Sequence, residues 1–235
     1  GYRTDNRKEG SLMCGRFSLY TDMEQMKERF DVQFVSNEED YYPNYNIAPS
    51  QSVVAIINDG TSNRMGKLRW GLIPSWAKDE KIGYKMINAR SETVDVKPSY
   101  RNAFTQRRCI IPMNSFYEWI ANEKEKIPML IKMKNNELFG VAGIWGTWKR
   151  ENEETVHSCT ILTTEANYLV KTIHDRMPVI LPPEMFGNWL DPNLRDKDRL
   201  KAMLSPFESA LMEAYPVSKE VNTPKNNYAE LLNSL

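Results

Sequence analysis

The chain predicts an α+β fold of mainly antiparallel β-sheets, forming a barrel- or sandwich-like core with short flanking helices. Three observations carry this. Runs rich in β-branched and aromatic residues recur at short spacing, as at 53–57, 108–112, 116–120 and 155–163. Turn-forming clusters such as Asn58-Asp59-Gly60 and Asn135-Asn136 separate several of them. Helical periodicity, by contrast, is confined to brief stretches.

Taken in order, Thr21-Asp22-Met23-Glu24 has the Ser/Thr-x-x-Glu form of a capping box, in which Thr21 and Glu24 satisfy free amides at a helix start. Met23, Met26 and Phe30 recur at helical spacing, which predicts a helix to about Phe30 with those residues on its buried face. The segment 36–46 is acidic and turn-rich, and Pro43 and Pro49 exclude a continuous helix there. The run 53–57, closed by Asn58-Asp59-Gly60, predicts a hairpin whose partner strand lies near 65–72. Gly71 to Trp76 then breaks regularity and leads into a lysine-rich loop. Two strands over 108–112 and 116–120 are expected around a turn at Met113-Asn114-Ser115, with Glu118 between Tyr117 and Trp119. A carboxylate so flanked is commonly an edge-strand residue facing water. The runs 128–133 and 138–145 read as a hairpin, and 155–163 as a further strand. Beyond these a short helix is expected over 165–172, a strand over 179–181, and helices from Pro182 to about Leu190 and over 196–204. A strand pattern returns over 215–221, followed by a polar loop from 225. No repeat, low-complexity tract or linker interrupts the chain, so residues 14–235 read as one domain. Residues 1–13 are set apart, either as sequence foreign to that domain or as a leader ending on Met13.

With 235 residues, 41% hydrophobic and 26% charged, the composition is that of a soluble globular protein able to bury a real core. No stretch approaches the roughly 18 apolar residues of a membrane span, and the leader lacks the apolar centre of a secretory signal, so the cytoplasm is the expected compartment. Cys14, Cys109 and Cys159 are odd in number, widely separated and without CxxC spacing, which argues against both a disulfide framework and a zinc site. With His157 and His174 the only histidines, no metal and no cofactor is expected. Cys109 and Cys159 lie in apolar runs and read as inert buried thiols. Formal net charge is zero but unevenly spread: three Lys/Arg face eight Asp/Glu over 14–59, against ten and four over 67–108. Charge runs of this kind are usually solvated faces, and a basic groove hidden by a neutral total is the functional alternative.

Chemistry points first to Met13-Cys14. A cysteine directly after a methionine becomes the first residue once the methionine is removed, and then carries two nucleophiles. Its α-amine, with a pKa of roughly 8, and its thiol, at about 8.5, can both attack one aldehyde and close a five-membered ring. That chemistry requires the preceding residues to be absent. The remaining candidates by residue type are His174, Glu118 and the Asn88/Arg90 pair. A single histidine is more often structural than catalytic, and the local signature of a papain-like cysteine is absent.

The ordered motifs Met-Cys-Gly-Arg-Phe at 13–17, Tyr-Asn-Ile-Ala-Pro at 45–49, Trp-Gly-Leu-Ile-Pro-Ser-Trp at 70–76, Ile-Asn-Ala-Arg-Ser-Glu-Thr at 87–93, Phe-Tyr-Glu-Trp at 116–119 and Ile-His-Asp-Arg-Met-Pro-Val-Ile-Leu at 173–181 resemble the SOS-response-associated peptidase (SRAP) family. Pro-Val-Ser at 216–218 and Pro-Lys-Asn-Asn at 224–227 extend the likeness over essentially everything from Cys14 onward. The resemblance implies an abasic-site sensor on single-stranded DNA, which crosslinks itself to the opened sugar through a terminal cysteine as a thiazolidine. It implies Cys14 as nucleophile, Glu118 to orient and deprotonate the amine, His174 for proton transfer at the sugar oxygen, and Asn88 to hydrogen-bond the cysteine end and the sugar. It further implies phosphate contacts by Arg16 and Arg90 and base stacking on Trp76 and Pro49. Family members can carry a second aromatic after that tryptophan; Ala77 stands here, which implies weaker stacking on that side. In this light the basic block over 67–108 reads as a DNA groove, because it contains Trp76, Asn88 and Arg90.

The expectation is therefore a monomeric DNA-damage protein of the SOS response whose partner is abasic single-stranded DNA, with lyase-type activity and self-cleavage before Cys14. Two alternatives remain open from the sequence. One is an N-terminal-nucleophile cysteine peptidase or amidase, for which DNA is incidental. The other is a non-catalytic single-stranded DNA binding module.

Overall fold

The computed structural model describes residues 14–235, so the expectations for residues 1–13, Met13 included, lie outside the described residues. In chain order the strands are β1 (Phe17–Leu19), β2 (Phe34–Val35), β3 (Asn44–Ile47), β4 (Ser52–Asn58), β5 (Asn63–Trp70), β6 (Asn88–Arg90), β7 (Arg108–Met113), β8 (Ser115–Ala121), β9 (Lys126–Met133), β10 (Phe139–Lys149), β11 (Thr155–Glu165), β12 (Arg176–Pro178), β13 (Ile180–Leu181) and β14 (Met212–Pro216). Short α-helices α1 (Met23–Arg29), α2 (Arg101–Gln106), α3 (Phe186–Leu190) and α4 (Lys197–Ala202) lie between them.

Five of these strands close a barrel in the order β5, β4, β7, β10, β11 and back to β5. The first four junctions are antiparallel, and the last is parallel, with Ser158 opposite Arg69 and Cys159 opposite Trp70. Closure removes open edges from the ring, and its apolar residues, among them Ile56, Trp70, Ile110, Val141 and Ile161, belong to one buried cluster. Strand β11 is longer than the ring requires. Past the β5 junction it takes β6 on one side in parallel (Thr163 opposite Arg90) and β12 on the other in antiparallel (Thr163 opposite Pro178). The segments carrying Asn88 and His174 thereby flank a single strand.

A second sheet runs β14-β9-β8-β1-β3. Strand β8 is interior to it, between β9 and β1. Period-two alternation turns Phe116 and Glu118 to one side, where Phe116 joins the main cluster. Tyr117 points the other way, into a smaller cluster with Leu130, Val217, Val221 and Leu231.

The α+β reading holds, and of its two alternatives the barrel is the one formed, but several local expectations change. The α1 cap is Asp22, whose carboxylate accepts from the Gln25 amide, rather than Thr21. Thr21 instead accepts from the Asn114 side chain, which also receives the Tyr20 and Thr21 amides. Those bonds mark a corner. Strands β7 and β8 flank Asn114 yet lie in different sheets, and β9 and β10 likewise part company instead of forming a hairpin. Residues 165–172 contain only a 3-10 turn at Val170–Thr172, because β11 runs on to Glu165. Strands β3 and β6 and helix α2 carry too little pattern to announce themselves. Glu118, expected at an edge, is only 1% exposed because β8 is flanked on both sides.

Candidate active site

Cys14 immediately precedes β1, is 3% exposed, and holds the left-handed conformation with φ 47°. Its backbone nitrogen donates to Oε1 of Glu118 at 2.9 Å, across 104 residues of chain. β1 and β8 pair side by side, with Phe17 opposite Phe116 and Tyr117 donating its amide to the Arg16 carbonyl, and this fixes the approach. The nitrogen that is an α-amine whenever Cys14 begins the chain thus lies on a buried carboxylate.

Electrostatics define what these groups can do. Burial pushes the Glu118 carboxyl above its ordinary value, while the charge of His174 and the bond from Cys14 pull in the opposite direction. Burial, reinforced by the charge of Glu118 and a hydrogen bond to it, pushes the Cys14 thiol well up; Arg176 opposes this. Burial thus favours the protonated form of the thiol, while the nitrogen of the same residue lies on the carboxylate.

His174 follows the 3-10 turn, its amide donating to Val170 O at 2.8 Å. Its Nδ1 accepts from the Arg176 amide at 3.0 Å, so in the neutral ring the proton resides on Nε2. His174, Asn88, Arg90, Glu92 and Arg176 share the lining of an open groove of about 1300 Å³. Asn88 is half-buried and Arg90 is exposed. Asn88 spends one amide proton on the Ile87 carbonyl, leaving the rest of its amide for the groove.

A second, shallower depression of about 510 Å³ is lined by Gly15, Arg16, Pro49, Trp119, Asn222 and neighbours. Here Arg16 is largely engaged by the protein itself. Nη1 donates to Asn46 Oδ1 at 2.8 Å and Val221 O at 2.6 Å, Nη2 donates to Asn222 O at 3.3 Å, and the guanidinium lies 5.6 Å from the Trp119 ring centre. Trp76 stands apart from both concavities at 61% exposure. Its loop is held by Ile73 N on Ser158 Oγ (2.8 Å) and by the Trp148 indole on the Ala77 carbonyl (2.7 Å). Cys109 and Cys159 are fully buried with thiols pushed up by burial.

The structure therefore brings Cys14, Glu118 and His174 into one electrostatic unit, with Asn88 and Arg90 in the groove that His174 lines. Arg16 and Pro49 lie in the second depression. Sequence reasoning passed over Glu92, Arg176 and Trp119, although each sits inside a quoted motif; the signal was a charged or aromatic residue beside a named one. Among the described residues no group of three His, Cys, Asp or Glu is arranged for a metal ion, and no helix is long and apolar enough to cross a membrane.

Comparison with known proteins identifies the family. The family model described as "SOS response associated peptidase (SRAP)" matches residues 13–224. The abasic site processing protein YoqW of Bacillus subtilis is 52% identical over 223 residues, covering 94% of this chain and all of that protein. The abasic site processing protein HMCES of Xenopus tropicalis is 31% identical over 224 residues, covering 82% of this chain and 66% of its own. A crystal structure of a Bacteroides thetaiotaomicron protein superposes with a TM-score of 0.85 at 27% identity, over 94% of this chain and all of that one. Motif order, fold and relatives converge, and the chain belongs to the SRAP family.

Proposed function

We propose that this protein processes abasic sites in single-stranded DNA by forming a covalent thiazolidine crosslink through Cys14. The observation that carries the reading is the Cys14 nitrogen on Glu118 Oε1 at 2.9 Å, with His174 acting on that carboxyl from the groove side. With Cys14 first in the chain, its amine adds to the C1′ aldehyde of the opened sugar. Glu118 takes the surplus amine proton as the N–C bond forms. Glu118 passes that proton to the alkoxide, His174 protonates the resulting carbinolamine hydroxyl, which leaves as water, and the iminium returns a proton to His174 to give the imine. The thiol then adds to the imine carbon while its proton moves to the ring nitrogen, so one water is lost per thiazolidine formed. A thiol kept protonated by its surroundings suits this order, because it does not compete for the aldehyde first. Asn88 holds the opened sugar, Arg90 and the remaining free donors of Arg16 face phosphates, and bases stack on Trp76 and Pro49.

The same contact favours removal of residues preceding Cys14. While they are attached, the Cys14 nitrogen is a leaving group beside a carboxyl with a raised proton affinity. Attack of Sγ on the preceding carbonyl, with Glu118 protonating the departing nitrogen, gives a thioester and a free amine. Water then releases the leader as a carboxylic acid. Lyase-type release from DNA would run the imine chemistry onward at the sugar.

The test is incubation of protein beginning at Cys14 with single-stranded DNA containing one abasic site. A slow-migrating species is expected on a denaturing gel, absent for Cys14→Ala and for undamaged DNA, with an imine precursor trapped by borohydride. No such species from the processed protein would overturn the proposal. DNA affinity that survives Cys14→Ala without any crosslink would identify a binding module instead. Amide hydrolysis in trans without DNA would identify a peptidase.

A further inference from the structure

The groove contains an ion pair that the chemistry above does not use. Arg176, 6% exposed, reaches back over β11 and grips Glu92 with both arms of its fork, Nη1 on Oε1 at 2.9 Å and Nη2 on Oε2 at 2.8 Å. Nη2 also donates to the Thr163 carbonyl at 3.0 Å, the same carbonyl that accepts the Ser91 amide at 2.8 Å. Thr163 lies opposite Arg90 of β6 and opposite Pro178 of β12. The pair therefore spans the three-strand unit that carries Asn88 on one flank and His174 on the other. The backbone of the same Arg176 fixes the imidazole, through its amide on Nδ1 at 3.0 Å. A buried guanidinium with its Nε unpartnered among the described residues depends on this one carboxylate for its neutralisation.

We propose that Glu92 is a positioning residue for the Cys14 reaction: clamped on Arg176 across β11, it fixes the tautomer and direction of His174 toward Glu118. The proposal rests on the crosslinking function above. Losing the carboxylate leaves Arg176 without its counter-charge, and it then reorients toward water. The amide that holds Nδ1 shifts with it, so the proton on Nε2 is no longer presented in one direction. Binding is affected differently. Oε2 also lies 3.7 Å from Arg90 Nε, so removing the charge frees Arg90 for phosphate.

The experiment compares wild type, Glu92→Gln and Glu92→Asp, each beginning at Cys14, in single-turnover crosslinking at saturating abasic single-stranded DNA. It also measures the Kd for DNA carrying a tetrahydrofuran abasic analogue, and the tautomer of His174 by ¹⁵N-histidine NMR. The expected result for Glu92→Gln is a crosslinking rate constant at least tenfold lower, with Kd unchanged within twofold or tighter. His174 passes in that variant from a single Nε2–H form to a mixture. Glu92→Asp, which keeps the charge, recovers most of the rate, and it carries the test should Glu92→Gln fail to fold. A Glu92→Gln rate within twofold of wild type, a His174 signal identical in both, or rate and affinity lost together in both variants overturns the proposal. Absence of any crosslink in wild type would instead refute the proposed function, and the NMR comparison would still decide whether Glu92 sets His174.

Discussion

Asn46→Ala tests how the second depression is held together. Asn46 is 1% exposed and its side chain is saturated: Oδ1 accepts from Arg16 at 2.8 Å, and Nδ2 donates to the carbonyls of Val221, Thr223 and Asn226 at 3.1, 3.1 and 2.9 Å. Alanine removes two amide protons worth about 1 kcal/mol each and one acceptor for a charged donor worth roughly 1.5–3 kcal/mol. It also leaves a void beside the three carbonyls, of which Thr223 O keeps the Asn226 amide and Asn226 O loses its donor. Arg16 keeps its bonds to Val221 O and Asn222 O, which limits the damage. The net expectation is a loss of about 3–4 kcal/mol, a fall in Tm on the order of 10 °C for a chain of this size. Because the three carbonyl partners lie at 221–226, limited proteolysis should cut there before global unfolding. Asn46→Asp keeps the Arg16 contact but turns a charge on three carbonyls, and should be at least as destabilising. A Tm drop below about 3 °C, with the 221–226 segment still protected from protease, would refute the reasoning.

Three further outcomes follow from the site. Glu118→Gln should cost about 10²–10⁴ in crosslinking rate in protein beginning at Cys14, as a lost acid–base group, yet with the preceding residues still attached it should melt higher than wild type at pH 7. Burial raises the folded-state value above the ordinary 4.5, so the folded protein loses stability as pH rises through that value, and the neutral amide escapes this loss. The advantage should vanish in melts below pH about 4, and no advantage at pH 7 would contradict it. Trp76→Ala should weaken single-stranded DNA binding by roughly 1–3 kcal/mol in anisotropy titrations while moving Tm little, since the ring is exposed. Gly71→Ala should unsettle the Trp76 loop and lower Tm by several degrees in calorimetry. Gly71 sits at φ 126°, and a Cβ there would stand 2.5 Å from the Gly83 carbonyl oxygen.

The strands legible in the sequence were those whose residues suffice to define them. The runs 53–57, 108–112 and 155–163 each carry β-branched residues in a short, largely apolar stretch, and each became a barrel strand. What was hidden is pairing at a distance. Asn114 looked like a hairpin turn because turn chemistry is local, whereas its actual partners, Ser18, Tyr20 and Thr21, lie more than ninety residues earlier. β6 has three residues, of mixed character, and exists only because β11 offers it a parallel edge. For the site, motif order indicated which residues belong together, and the geometry then distinguished among them. Arg16 emerged with its fork largely occupied and Arg90 exposed, a difference that residue type cannot express. Glu92 and Arg176 stand 84 positions apart, and nothing in either neighbourhood announces the other.

The span between Cys14 and Glu118 bears on how the protein comes into being. Cys14 is translated early, Glu118 a hundred residues later, and His174 later still. The strand that places His174 also closes the ring against β5, a contact of high sequence separation and so among the slower ones to form. A growing chain therefore carries the Cys14 thiol, and its amine where nothing precedes it, in an ordinary aqueous setting, without the carboxyl or the imidazole. On the chemistry proposed here, competence toward aldehydes arrives with the completion of folding, and an unfinished or misfolded copy is no more reactive than any cysteine peptide.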